Sequence, residues 1–173
     1  RFAMVTGFAS ALLFQPFNMF WGPIFKELGG EVWWFGFLWI GVALASGVGS
    51  KWVGNISNAS GKTLGIVFLV VGIPMLLASL SSNIFVVMVG FLFHEIGRGG
   101  VSPVIFSLTN RDNHDNASRT TANSIRSSAR TIGAAIGLVT FGLLTEVVSP
   151  LQTWAISAVS IIVLAVFCFR RKD

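Results

Sequence analysis

The sequence predicts an all-α transmembrane fold, a bundle of six helices that crosses a lipid bilayer. Hydrophobic residues form 53% of the 173-residue chain, charged residues form only 11%, and the mean hydropathy is +0.76. A soluble domain has roughly 25% charged residues, because its surface faces water. The composition therefore excludes a soluble domain and indicates a membrane protein.

Six apolar segments approach the roughly 20 helical residues that a bilayer core of ~30 Å requires. Open sheet edges are not tolerated in lipid, so we expect each segment to be a helix. Turn-forming residues separate the segments, with predicted cytoplasmic loops at 54–62 and 109–128. The predicted spans are 2–25, 32–53, 63–80, 84–108, 129–148 and 151–169.

The distribution of basic residues predicts the orientation. If Arg1 is cytoplasmic, ten Lys and Arg residues lie on that side, Lys26 lies outside and Arg98 lies in the membrane. This bias predicts that both ends of the segment are cytoplasmic, in a plasma or inner membrane. The net charge of +5 is spread over short loops, so we expect no nucleic-acid partner. The first residue is Arg rather than Met, so we expect a fragment or a processed chain.

The fourth predicted span contains three ionisable residues in the stretch FLFHEIGRGG at 91–100. His94, Glu95 and Arg98 fall on one face of a helix. Burial and a neighbouring cation have opposing effects on the ionisation of a carboxyl group, which suits a proton carrier. Two structural explanations compete: a Glu95–Arg98 pair that only holds helices together, or Arg98 reaching the interface. His94 either joins a proton relay or is a hydrogen-bonding core residue.

The first span has a milder polar cluster. Gln15 and Asn18 share a helix face, and their amides either join helices or bind polar groups of a solute. Trp21 either stacks on a solute or packs in the core. Pro16 and Pro23 are predicted to kink the helix and to free a backbone carbonyl.

The fifth span combines small residues with a preceding row of arginines. Gly133 and Gly137 form a G-x-x-x-G pattern that predicts close helix approach. Arg119, Arg126 and Arg130 occupy one stripe of a helix extending into the cytoplasm. They either anchor the helix at the membrane surface or form an ionic latch with another part of the molecule.

An enzyme is the least favoured class. In HEIGR, Arg98 occupies the position where a zinc-binding H-E-x-x-H helix needs its second histidine. The lone Cys168 excludes a cysteine-based metal site, so we expect neither metal nor cofactor. An intramembrane hydrolase based on Ser46 would need an activating histidine, and His94 is flanked by Glu95 and Arg98.

Two motifs resemble a known transporter family. The segment GNISNASGK aligns with a G-x-x-x-D-[RK]-x-G-[RK] loop, through Gly54, Asn58, Gly61 and Lys62. The second pattern, E-x-x-R-G…P…N…R-[AT]-T, corresponds to Glu95, Arg98, Gly99, Pro103, Asn110, Arg119, Thr120 and Thr121. With these motifs and six spans, all 173 residues resemble the C-terminal six-helix half of a major facilitator superfamily transporter. Asn58 and Ala59 replace the usual acid and base, which puts gating by this loop in doubt.

The resemblance implies one half of a twelve-helix fold built from 3+3 inverted repeats, with two halves that expose a central site to each side in turn. The first and fourth helices of each half line that site, which would include Gln15, Asn18, Glu95 and Arg98. The implied function is proton-coupled transport or efflux of a small organic solute, with an N-terminal six-helix half as partner. The alternatives are a non-transporting scaffold or receptor on the same fold and, less favoured, the intramembrane hydrolase.

Overall fold

The computed structural model describes residues 1–56, 59–111 and 116–171, and in this part of the chain every regular element is an α-helix. Six helical segments are long and apolar enough to cross a membrane, with the first two helices together forming one segment. The predicted all-α chain with six such segments is therefore confirmed over these residues. The helices are α1 (Phe2–Leu13), α2 (Gln15–Glu27), α3 (Trp34–Gly54), α4 (Gly61–Ser79), α5 (Ile84–Arg111), α6 (Asn116–Leu144) and α7 (Pro150–Phe169).

The first membrane segment is interrupted. The sequence predicts one span over 2–25, but α1 ends at Leu13 and α2 begins at Gln15, with Phe14 between them. Pro16 has no N–H to donate to the carbonyl group of the residue four positions earlier. The interruption is confined to Phe14, whose N–H still donates to the Ser10 carbonyl at 3.0 Å and whose carbonyl accepts from the Asn18 N–H at 3.3 Å. Pro23 lies inside α2 without ending it.

Helical structure extends into the predicted loop 109–128. α5 continues to Arg111 and α6 already begins at Asn116. Residues 116–128 contain neither glycine nor proline, the two residues least compatible with a helix interior. The arginine row therefore belongs to the same helix as the G-x-x-x-G pattern.

α4 begins immediately after a serine cap. The Ser60 hydroxyl accepts a hydrogen bond from the Thr63 backbone N–H at 3.2 Å. In return, the Thr63 hydroxyl accepts from the Ser60 backbone N–H, also at 3.2 Å. This reciprocal capping satisfies backbone donors that the first turn of a helix leaves free.

The helices pack around an apolar interior. α4 lies against α5 and α7, α3 packs on α5, and α1 packs on α6. Phe17 and Trp154 are fully buried in this interior. On the outside, Phe37, Leu77 and Val163 are 69%, 61% and 63% exposed. A large apolar exterior is unfavourable in water, and it fits the lipid surroundings that the composition predicts.

Both termini of the described chain lie at one end of the bundle. The Phe2 ring stacks on Phe167 with 5.9 Å between ring centroids, and the Arg171 guanidinium lies 4.3 Å from the centroid of the Phe2 ring. At the start of α4, Gly61 approaches α7, where an added Cβ would be 3.0 Å from the Cys168 carbonyl oxygen. These contacts bring the two termini and the α3–α4 turn together, and the cytoplasmic location of this end stays a prediction.

Candidate functional site

The interruption between α1 and α2 is stabilised by side chains that donate to backbone carbonyls. The Gln15 amide donates to the Ala11 carbonyl at 2.9 Å. From α7, the Ser157 hydroxyl donates to the Leu13 carbonyl, and the Trp154 indole N–H donates to the Pro16 carbonyl at 2.9 Å. These donors add hydrogen bonds to the carbonyls on both sides of Phe14, and two of them join α7 to the first membrane segment.

A charged network joins the broken segment to α5. Arg98 Nε donates to Glu95 Oε2 at 2.8 Å, and Arg98 Nη1 donates to Asn18 Oδ1 at 3.1 Å. The Glu95 side chain is 1% exposed, whereas that of Arg98 is 32% exposed. The predicted pair within α5 is therefore extended to α2 through Asn18. Because the Arg98 side chain is only partly buried, some of its guanidinium N–H donors remain accessible.

His94 lies behind this network in an aromatic enclosure. Its ring lies 4.6 Å from the ring of Phe17 and 5.8 Å from those of Phe14 and Phe91, between centroids. His94 Nε2 is 3.7 Å from Glu95 Oε1, which is too long for a hydrogen bond. Among the described residues, neither imidazole nitrogen has a hydrogen-bond partner. The imidazole therefore lies beside the Glu95 carboxyl group without a hydrogen bond to it.

Trp21 occupies the opposite side of the network, within a cluster of aromatic rings from α2, α3 and α5. It stacks on Phe91 at 6.2 Å and makes edge contacts with Phe35 at 5.4 Å and Trp39 at 5.6 Å. A cavity of about 20 Å³ lies between Trp21, Arg98 and Glu95, among other residues. A cavity of that size holds about one water molecule, so Trp21 has no room to stack on a solute in this conformation.

A much larger cavity lies on the other side of Asn18 and Arg98, between the broken segment, α5 and α6. Its volume is about 290 Å³. Both polar and apolar side chains line it, and three of them are arginines. The lining residues are Ala11, Phe14, Gln15, Asn18, Arg98, Val101, Ser102, Arg126, Ser127, Arg130, Thr131 and Ala134.

Two of these arginines belong to the row on α6 for which the sequence predicts either membrane anchoring or an ionic latch. The side chains of Arg126 and Arg130 line the cavity shared with Arg98. Arg130 Nη1 donates to Ser102 Oγ of α5 at 2.7 Å, and the Arg126 guanidinium lies 5.6 Å from the ring centroid of Phe106. Their four-residue spacing shows that they share a helix face, but it does not show what that face contacts.

The two glycines of the predicted packing motif face α1. A Cβ at Gly133 would lie 2.5 Å from the Phe8 carbonyl oxygen, and one at Gly137 would lie 2.5 Å from that of Leu12. Sequence reasoning missed a second close approach, between α3 and α5. There, Gly99 meets the Ser46 backbone and Gly49 meets that of Ile96.

The residues of the loop signature lie away from the cavity. Gly54 ends α3, while Gly61 and Lys62 begin α4. Asn58 falls outside the described residues. Arg119 lies near the start of α6, where its carbonyl accepts a hydrogen bond from the Asn123 amide at 3.0 Å. The structure therefore separates the signature residues from the site residues of α2 and α5.

The side chains around the cavity include hydrogen-bond donors and ionisable groups. Within residues 1–56, 59–111 and 116–171, no group of three His, Cys, Asp or Glu side chains could hold a metal ion. Ser46 and His94 share no hydrogen bond, although a serine hydrolase requires that contact. What the cavity offers instead is cationic and amide donors beside apolar surface.

Comparison of the chain with protein-family models and with curated proteins found no match. The family resemblance therefore rests on the two sequence patterns and the six spans.

Proposed function

We propose that this chain forms the C-terminal half of a secondary transporter of the major facilitator type, which moves a small organic solute by alternating access. The observation that supports this most strongly is the Asn18–Arg98–Glu95 network, which joins α2 to α5 beside a cavity of about 290 Å³. Ionisable groups at membrane depth usually face a bundle interior or an aqueous pathway.

A proton on Glu95 would rearrange the network. Protonation removes the negative charge that holds Arg98 Nε at 2.8 Å, so a charge-assisted hydrogen bond is replaced by a weaker one. Arg98 would then be free to bind the solute or a group on the other half of the transporter. His94, with Nε2 at 3.7 Å, is placed to pass the proton on. Proton binding can drive transport only if it favours one conformation over the other, and the change in the Arg98 bond supplies that difference.

Accessibility from the two sides of the membrane tests alternating access without knowledge of the solute. In a Cys168→Ala background, Ala134→Cys places a thiol in the cavity wall, whereas Val139→Cys places one on a 63% exposed apolar position of the same helix. We expect a membrane-impermeant maleimide to label the Ala134→Cys protein from either side of oriented vesicles. The Val139→Cys protein should stay unlabelled, because maleimide reacts poorly with a thiol in lipid.

Glu95→Gln tests the proton step in the same vesicles. The ratio of labelling from the two sides should change with pH in the Ala134→Cys protein and should lose that dependence when Glu95→Gln is added. Glu146→Gln is the matched control, because Glu146 is an exposed carboxylate outside the site. Labelling confined to one side at every pH would contradict transport and favour a scaffold. A pH dependence that survives Glu95→Gln would contradict the role of Glu95.

A further inference from the structure

Three guanidinium groups line the larger cavity, and among the residues that the structure describes only Arg98 is paired with an acid. Arg98 bonds to Glu95, while Arg130 bonds to the neutral Ser102 hydroxyl. The buried Arg126 Nε has no hydrogen-bond partner among the described residues. In the same part of the chain, no carboxylate oxygen comes within 4.0 Å of Arg126 or Arg130. The cavity therefore has an excess of positive charge.

The arrangement of Arg126 and Arg130 is electrostatically unfavourable. Arg126 and Arg130 are four residues apart on α6, and like charges at that spacing repel each other. Their repulsion is stronger where the surroundings are less polar than water. The close approach of the α1 and α6 backbones is made at Gly133 and Gly137, and only the stem of Arg130 passes Gly7 of α1, so this contact does not use the two charges. An anion in the cavity would remove this repulsion.

We infer that this cavity binds the anionic group of a small organic solute, a carboxylate, sulfonate or phosphate, through Arg98, Arg126 and Arg130. The inference rests on the proposed transport function and specifies its substrate class. A guanidinium group presents parallel N–H donors that match two oxygens of such an anion. The rest of the solute would lie against Phe14, Val101 and Ala134, which supply apolar surface in the same cavity.

The part of the site that this chain forms is small. Its volume of about 290 Å³ is just below the roughly 300–1,000 Å³ typical of small-molecule sites. A single aromatic or short aliphatic anion fits this volume better than a drug-sized compound. The headgroup of an anionic phospholipid offers the same chemistry on a different molecule, so the experiment must distinguish the two sources.

Thermal unfolding of the intact protein in a neutral detergent provides the binding assay, because a ligand that binds only the folded state raises the unfolding temperature. The probes are benzenesulfonate, the neutral benzenesulfonamide, the cation benzyltrimethylammonium and phosphatidylglycerol. We expect benzenesulfonate alone among the three aromatic probes to stabilise the protein. Stabilisation by phosphatidylglycerol without any by benzenesulfonate would overturn the inference, as would equal stabilisation by the neutral probe.

Variants identify the groups responsible. Arg126→Gln and Arg130→Gln should each weaken benzenesulfonate binding by about tenfold or more, because each removes a hydrogen bond to a charged group. Arg170→Gln, at an exposed arginine beyond α7, should leave it unchanged. If the Gln variants do not fold, Ser127→Asp gives an independent test. It keeps all three arginines and places a carboxylate in the cavity, so it should compete with the probe, whereas Ser127→Asn should not.

The two proposals fail separately. If benzenesulfonate binding depends on Arg126 and Arg130 but the protein is labelled from one side only, the anion site is supported and transport is contradicted. If the protein is labelled from both sides but does not bind benzenesulfonate, even at a saturating concentration of the probe, the anion site is contradicted and transport is supported. Undiminished binding in the Ser127→Asp protein would also overturn the site.

Discussion

Replacing Gly137 by alanine should destabilise the protein relative to the same change at Gly142, one turn and a half further along α6. A Cβ at Gly137 would lie 2.5 Å from the Leu12 carbonyl oxygen and 2.8 Å from Gln15 Cγ. Cβ atoms essentially never approach other atoms within 3.0 Å, so α6 and α1 must separate by several tenths of an ångström. Forcing an extra methyl group into a packed contact costs about 1–3 kcal/mol.

Gly142→Ala is a matched control. A Cβ at Gly142 meets only the flexible end of Met19, at 3.9 Å. Both substitutions gain the same intrinsic helix preference, about 1 kcal/mol, which cancels when the two variants are compared. The remaining difference of about 1–3 kcal/mol corresponds to roughly 2–12 °C in unfolding temperature for a chain of this size. Equal unfolding temperatures would refute the contact between Gly137 and the α1 backbone.

Two further predictions concern hydrogen bonds to the backbone. Trp154→Phe should lower the free energy of unfolding by about 2–4 kcal/mol, because it removes the indole donor to the Pro16 carbonyl and opens a cavity. Trp52→Phe, at a 40% exposed tryptophan, should have a much smaller effect in the same denaturation assay. Ser60→Ala should lower the free energy of unfolding by about 1 kcal/mol, because the α4 cap is lost. Ser60→Thr should retain most of that stability. An unchanged free energy of unfolding in Ser60→Ala would contradict the capping contact with Thr63.

The spans could be predicted because they depend on local composition, but the break at Phe14 could not be placed. Proline alone allows either a kink or an interruption, as Pro23 inside α2 shows. At Phe14, donors from α7, Trp154 and Ser157, make the interrupted geometry tolerable. Those donors lie about 140 residues away in sequence, so no local pattern contains them.

The candidate site shows the same division between local and distant information. The spacing of Glu95 and Arg98 predicts their pairing, since both residues belong to one helix turn. The contact of Arg98 with Asn18 depends on how α2 packs against α5. The position of Arg126 in the cavity wall likewise depends on which face of α6 meets α1, and helical spacing does not contain that information.

One stripe of α6 contains both the residues that bring this helix close to α1 and the residues that give the cavity its charge. Arg126, Arg130, Gly133 and Gly137 follow at intervals of four, three and four residues, within about 60° around the helix. The Arg130 stem passes Gly7 of α1, where an added Cβ would lie 3.5 Å from Arg130 Cγ. The guanidinium then reaches α5. A shift of α6 along α1 would therefore move both arginines relative to α5, so movement of this helix and binding of an anion would be coupled through the same contact surface.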